Sequence, residues 1–115
     1  AAKAVGRQIA ERAKAAGIDK EKIIVDPGIG FGKSVEHNLE ILKRLQDFKV
    51  LGLPILVGPS RKSFIGKILN VLPKERIFGT ISSCVLAAKN GAKIIRAHDV
   101  KEVKQALKVL DNINN

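Results

Sequence analysis

The sequence contains no methionine, tryptophan or tyrosine, a single cysteine and four phenylalanines in 115 residues. The lone cysteine, Cys84, excludes an internal disulfide framework and a thiolate metal cluster, and it fits a reducing, cytoplasmic setting. Uninterrupted apolar runs are only a few residues long, far short of the roughly 20 that cross a bilayer. The opening segment, Ala1 to Val5, lacks the apolar core of a signal peptide. So few aromatics leave little for the base-stacking platform of a nucleic-acid binder. Acidic residues are scarce, 11 against 21 Lys plus Arg, for a net charge of +10. That excess alone would suit nucleic acid. However, Lys3, Arg7, Arg12, Lys14, Lys43, Arg44, Lys101 and Lys104 are interleaved with Glu11, Glu36, Glu40 and Glu102, as on solvated helix faces. Neither nucleic acid nor membrane is therefore expected as a partner. Hydrophobic residues at 45% supply a packed core and exclude a disordered tail. A start without Met, already helical in character, reads as a piece of a longer protein.

The apolar spacing predicts an α/β chain. Val5, Ile9, Ala13 and Ala16 mark one face of a helix over about 1–16, with Gly17 as its C-cap. Lys22 to Val25 reads as a strand stopped by Asp26-Pro27-Gly28. Ser34 caps a second helix facing inward through Val35, Leu39, Leu42, Leu45 and Phe48. Ile55 to Val57 is a second strand, and a short helix with Phe64, Ile65, Ile68 and Leu69 follows. Pro73 suits the first turn of a helix continuing through Ile77, Ile81, Val85 and Leu86. Ile94-Ile95 is a third strand, and the last helix buries Val100, Val103, Leu107 and Leu110. Strand and helix alternate three times, which implies a parallel sheet.

In a parallel sheet the loops that follow the strands share one face, so residues distant in sequence converge there. Those loops hold Asp26, Phe31 and Lys33, then Ser60, Arg61, Lys62 and Ser63, then Arg96 and His98. The Gly28 to Ser34 segment resembles a phosphate loop, but a Walker pattern requires glycine at residue 27, which is proline. The glycines still permit close backbone approach to a ligand, with Phe31 free to stack on a flat ring. Asp26 can accept paired N–H donors of a nitrogen heterocycle, or serve only as a turn residue before Pro27. Arg61 and Lys62 offer a planar fork and a point charge to a flat anion. Arg96 and His98 alternate on their strand and would face one way, as two donors for a phosphate or carboxylate. Asp99 is a candidate cap for the last helix. His37 reads as solvated and Cys84 as core rather than nucleophile.

Three ordered segments carry a resemblance: Asp26-Pro27-Gly28-Ile29-Gly30-Phe31-Gly32-Lys33, Ser60-Arg61-Lys62-Ser63-Phe64-Ile65-Gly66, and Arg96-Ala97-His98-Asp99-Val100. In order and spacing they resemble motifs of the dihydropteroate synthase family, and His37-Asn38-Leu39 and Gly79-Thr80 look familiar between them. The resemblance implies an eight-stranded TIM barrel, which takes roughly 250 residues. This chain resembles its sixth to eighth strands with one preceding helix, so residues 1–115 read as the C-terminal part of a pterin-binding barrel domain.

Such enzymes condense 6-hydroxymethyl-7,8-dihydropterin diphosphate with p-aminobenzoate to give dihydropteroate and pyrophosphate in folate synthesis. The resemblance implies Mg²⁺ at the leaving group, with no ligand for it in this segment, and a homodimeric full enzyme. It gives Asp26 and Lys62 the pterin ring and its developing cation, and Arg96 and His98 the diphosphate. Phe31 and Ser63 border the p-aminobenzoate pocket, with Arg61 at its rim. The missing N-terminal half of the barrel is then an obligatory partner, because three β/α units leave open sheet edges. The isolated chain is expected to be inactive.

The closest enzymatic competitor is another pterin-binding barrel, such as a methyltetrahydrofolate:corrinoid methyltransferase. The cations of the Ser60–Gly66 segment favour the synthase, because a diphosphate leaving group needs them and a methyl transfer does not. A non-catalytic pterin-binding or half-barrel interaction module is the alternative of a different class.

Overall fold

A computed structural model describes residues 2–114, with side chains from residue 8 onward. Helix α1 (Ala2–Ala15) opens the described chain. It ends in a turn where the Ile18 amide reaches back to the Ala13 carbonyl and Gly17 takes a positive φ of 91°, as expected of the cap. α1 packs on the Leu45–Leu51 3₁₀ turn. Among its described side chains Ala10 is buried and Ala13 half-buried, whereas Ile9, expected on the inner face, is 58% exposed. The Val5 side chain lies outside the described residues.

The first predicted strand is reduced. Lys20–Lys22 forms a 3₁₀ turn, and only Val25 pairs, through a parallel bridge to Ile55. The Val25 amide donates to the Pro54 carbonyl at 2.9 Å, and the Leu56 amide donates to the Val25 carbonyl at 2.8 Å. Ile24 is exposed and finds no partner among the described residues, so the β-branched run does not propagate a ladder. Strands β1 (Leu56–Val57) and β2 (Ile94–Ile95) pair in parallel, Leu56 with Ile94 and Val57 with Ile95. The spatial order is Val25, β1, β2, and all three run one way, as predicted.

Helix α2 (Val35–Lys43) starts at Ser34, whose Oγ accepts the His37 amide at 3.2 Å. The single helix predicted to run through Phe48 breaks at Arg44 and continues as the 3₁₀ turn. The buried residues are Asn38, Ile41, Leu42, Leu45 and Phe48, with Leu39 exposed. Helix α3 (Ser63–Leu69) buries Phe64 and Ile65. Pro73 begins a separate 3₁₀ turn, Pro73–Glu75, rather than the next helix. Helix α4 (Ile77–Lys89) buries Thr80, Cys84 and Ala87, small residues along one stripe, instead of the larger Ile77, Ile81, Val85 and Leu86.

Helix α5 (Val100–Asn114) packs along α4 and buries Val103. Val100, predicted to be buried, is exposed. The misplaced apolar residues share a cause. Leu39, Ile68, Leu69 and Leu86 face an open groove of 290 Å³ between α2, α3 and α4, and Val100 lines another of 380 Å³ between α5 and the end of β2.

One core joins Ile29, Ile41, Leu42, Leu45, Phe48, Ile55, Val57, Phe64, Ile65, Ala87 and Ala92 beneath the sheet and helices. The chain exposes 7544 Å², whereas a compact monomer of 12.4 kDa exposes about 6,100 Å². The excess is apolar in part, from Ile24, Ile94, Val100, Val109 and Ile113.

Candidate functional site

The three loops that follow Val25, β1 and β2 meet at one edge of the sheet. Asp26 leaves the Val25 bridge with Oδ1 accepting the Gly28 amide at 2.8 Å, so it does serve as a turn residue. Its other oxygen, Oδ2, lies 3.5 Å from Nη2 of Arg96, seventy residues away. This contact is long and the Arg96 side chain is 65% exposed, so the pair contributes near zero to stability and can be exchanged at little cost. Arg96 reaches Asp26 by lying across Gly58, where a Cβ would stand 3.2 Å from its Nε.

The glycine loop is pinned from below. Asn38 on α2 is 1% exposed, and its Oδ1 accepts the Gly30 amide at 2.8 Å. Gly30 has a φ of 91°, which favours glycine, and a Cβ there would press on Cδ of Lys62 at 3.0 Å. Lys62 consequently crosses the loop and places Nζ 4.8 Å from the centroid of the Phe31 ring. Phe31 is 67% exposed, and its ring is open to a second planar group. Lys33 turns back on its own loop, donating to the carbonyls of Gly28 at 3.0 Å and Phe31 at 3.4 Å.

The second loop carries Arg61 at φ 54°, a left-handed conformation that costs a non-glycine residue roughly 1 kcal/mol or more. Three residues hold it there. Thr80 Oγ1 accepts the Arg61 amide at 3.0 Å, and Arg76 Nη1 donates to the Arg61 carbonyl at 2.9 Å. Asp99 takes the guanidinium in a fork, Oδ1 from Nη2 at 2.8 Å and Oδ2 from Nε at 3.2 Å. The Arg61 hydrogen bond holds the Asp99 carboxyl below the usual carboxylate range, and Asp99 in turn raises Arg61. Asp99, a candidate helix cap in the sequence, thus spends its carboxylate on Arg61. Ser63 opens α3, exposed, with no side-chain hydrogen bond among the described residues.

Beyond β2 the ladder continues for one more bond, from the Arg96 amide to the Val57 carbonyl at 3.0 Å, and the two side chains take different partners. Arg96 turns to Asp26, and His98 turns to the buried Ser60, with Nδ1 2.8 Å from Oγ. The site therefore joins Asp26 with Arg96, Phe31 with Lys62, Ser60 with His98 and Arg61 with Asp99. It is an open rim, and the two apolar grooves lie elsewhere. Cys84 is fully buried in α4, and burial pushes its thiol up to about 11. His37 is exposed on α2. Among the described residues no group of three or more His, Cys, Asp or Glu side chains is arranged to hold a metal. The loop cluster is dominated by cations, so these residues do not fit a Mg²⁺ site.

Asn38, Thr80 and Arg76 lay outside the residues assigned to chemistry. Asn38 and Thr80 had a legible signal, each being a polar residue on the inward stripe of its helix. Arg76 had none, because its role depends on where Arg61 is.

The family described as Pterin binding enzyme matches residues 2–98. The chain belongs to the pterin-binding enzyme family. It is 54% identical over 100 residues to the dihydropteroate synthase of Escherichia coli, which covers 87% of this chain and 36% of that protein. The Bacillus subtilis dihydropteroate synthase is 43% identical over 100 residues, with 87% and 35% covered. The chain thus spans about a third of the length of the curated relatives it matches. Among solved structures, the Yersinia pestis enzyme with a pterin–sulfa conjugate superposes with a TM-score of 0.95 at 43% identity, covering 98% of this chain and 44% of that one. The Coxiella burnetii dihydropteroate synthase in complex with pteroic acid gives 0.94 at 44%, covering 97% and 42%. Likeness at this level shows a TIM-barrel-type α/β fold.

Proposed function

We propose that this chain forms the C-terminal three β/α units of a dihydropteroate synthase, residues 1–115 of its pterin-binding barrel domain. The observation that carries the reading is the meeting of three strand-end loops at one rim, with Asp26 against Arg96 and Lys62 over Phe31. A carboxylate, an aromatic face and several cations are the groups needed for a flat, N–H-rich ring bearing a diphosphate. The reaction forms a C–N bond between the amine of p-aminobenzoate and the pterin methylene carbon. The C–O bond to the diphosphate breaks, pyrophosphate leaves with its electron pair, and the amine loses one proton.

Asp26 accepts the pterin N–H groups and offsets the positive charge that grows on the ring as the leaving group departs. Lys62, fixed by Gly30 and Phe31, holds the other side of the ring. Arg96 and His98 take the diphosphate and stabilise it as it leaves. Phe31 and Ser63 border the p-aminobenzoate, and Arg61 shapes the rim of that pocket, its guanidinium committed to Asp99.

The remaining strands of the barrel are the chain's partner in this reading. The excess exposed surface and the apolar groove beside β2 support it. Homodimerisation and a cytoplasmic location are proposed from the resemblance alone. No described helix is long and apolar enough to cross a membrane. The test is a hybrid in which this chain replaces the matching segment of the Escherichia coli enzyme. Dihydropteroate formation from the pterin diphosphate and p-aminobenzoate, lost in Asp26→Asn and Lys62→Ala, is expected. A folded hybrid without turnover would refute the reading.

A further inference from the structure

We infer that Ser60 is a positioning residue that fixes the tautomer of His98, keeping the proton on Nε2. The argument is an inventory of one hydroxyl. Ser60 is 4% exposed, and its Oγ accepts the backbone N–H of His98 at 3.0 Å. The same oxygen lies 2.8 Å from His98 Nδ1. A hydroxyl has one proton to give and two lone pairs to receive with. If Nδ1 carried the proton, Oγ would accept twice, and its own proton would need a further acceptor. No such acceptor stands within reach among the described residues, and an unsatisfied buried donor is costly. With the Ser60 proton directed to Nδ1, the Ser60 hydroxyl, the Nδ1 atom and the His98 amide are all satisfied. The neutral imidazole is then left with a single N–H, on Nε2, which has no protein partner among the described residues.

The chemical consequence rests on the function proposed above. A neutral imidazole locked as an Nε2 donor is a directional hydrogen-bond donor to an anionic phosphate oxygen, and it needs no protonation to act. Ser60 acts through His98 and touches no substrate. The free ring would choose between two donors, whereas here one backbone amide and one hydroxyl make the choice in advance.

The sequence has only two histidines, so the test carries its own reference. His37 is exposed, and its ring has no partner among the described residues. Imidazole nitrogen resonances of the full chain, ¹⁵N-labelled at histidine, would be recorded near pH 8.5, about two units above an ordinary imidazole. The expected result is a free tautomer mixture for His37 and a single Nε2–H form for His98, with Nδ1 hydrogen-bonded. Ser60→Ala should move His98 to the His37 pattern, and Ser60→Thr, which keeps the hydroxyl, should retain the single form. A His98 that matches His37 in the unaltered chain overturns the inference, as does an Nδ1–H form or a pattern that Ser60→Ala leaves unchanged.

In the hybrid enzyme, Ser60→Ala should cost about tenfold in kcat/KM beside His98, the scale of one hydrogen bond. Beside His98→Gln it should cost less than about twofold, because a glutamine amide offers its donor with no tautomer to choose. A purely structural Ser60 would cost the same in both backgrounds, since the backbone bond to residue 98 survives in each, and equal costs overturn the inference. A hybrid without turnover fails the proposed function and leaves the nitrogen spectra to decide the tautomer.

Discussion

Replacing Thr80 by valine tests how the second loop is held. Thr80 is fully buried on α4, and its Oγ1 is the acceptor for the amide of Arg61, a residue in left-handed conformation. Valine keeps the size and branching of threonine but offers no acceptor. The partly buried amide then loses its partner, at about 1–3 kcal/mol, and the backbone strain at Arg61 loses one of its three restraints. Serine keeps the acceptor and deletes one buried methyl, about 1 kcal/mol. The expected order is wild type, then Thr80→Ser, then Thr80→Val, with valine about 2 kcal/mol below wild type. At roughly 2.1 cal/mol/K per residue of unfolding entropy, that corresponds to about 8 °C in Tm for this length. Urea unfolding followed by circular dichroism, with the slope m unchanged, measures it. A valine variant within about 0.3 kcal/mol of wild type, or a serine variant as unstable as valine, would refute the claim that the hydroxyl rather than its volume matters.

Three further outcomes follow from the same contacts. Gly79→Ala places a Cβ against Cγ2 of Ile65 where α3 meets α4, so it should destabilise by about 1–3 kcal/mol. A helix governed by propensity alone would gain up to about 1 kcal/mol instead, so the sign of the Tm change decides. The Asp99 carboxyl is held below its ordinary 3.8 by the Arg61 hydrogen bond. Its contribution is therefore present above that value and lost as pH falls through the lower folded value. Melts of wild type and Asp99→Asn should differ at neutral pH and converge below about pH 4, and a constant gap down to pH 2.5 would contradict the pairing. Cys84 is fully buried with its thiol pushed up to about 11, so a disulfide reagent at pH 8 should find no reactive thiol in the folded chain and one per chain in denaturant.

The sequence is legible where a local rule decides and misleading where a neighbour decides. Ser34 is a cap by residue type, and its Oγ accepts the His37 amide as a cap does. The parallel sense of the strands follows from the β/α order, which needs no knowledge of contacts. By contrast, Leu39, Leu86 and Val100 fit a helical stripe as well as the residues that are buried. What separates them is the divergence of α2, α3 and α4 and the open side of β2. Val25 pairs and Ile24 does not, though both are β-branched, because pairing depends on a neighbouring strand. The loops of the candidate site were recognisable from glycine, charge and position after strands. Their bonding was not: Asp99 looked like a cap and instead closes a fork on Arg61 across 38 residues.

These bonds explain how so little sheet can hold a site. Two two-residue strands and one bridge fix the direction of the loops but hardly their conformation. Conformation is supplied by side chains that reach from one unit to the backbone of another: Asn38 to Gly30, Thr80 and Arg76 to Arg61, Ser60 to the amide of His98. Each such bond leaves a neighbouring side chain presented at the rim: Phe31 beside Gly30, Lys62 beside Arg61, and His98 itself. A residue that binds substrate must be exposed and exchangeable, as the 3.5 Å contact between Asp26 and Arg96 is. Its precision must therefore come from a different residue that is buried and committed. Mutations at Asn38, Thr80 and Ser60 should accordingly damage the site without removing any group that contacts substrate, and that division of labour is invisible to any reading that looks only for reactive side chains.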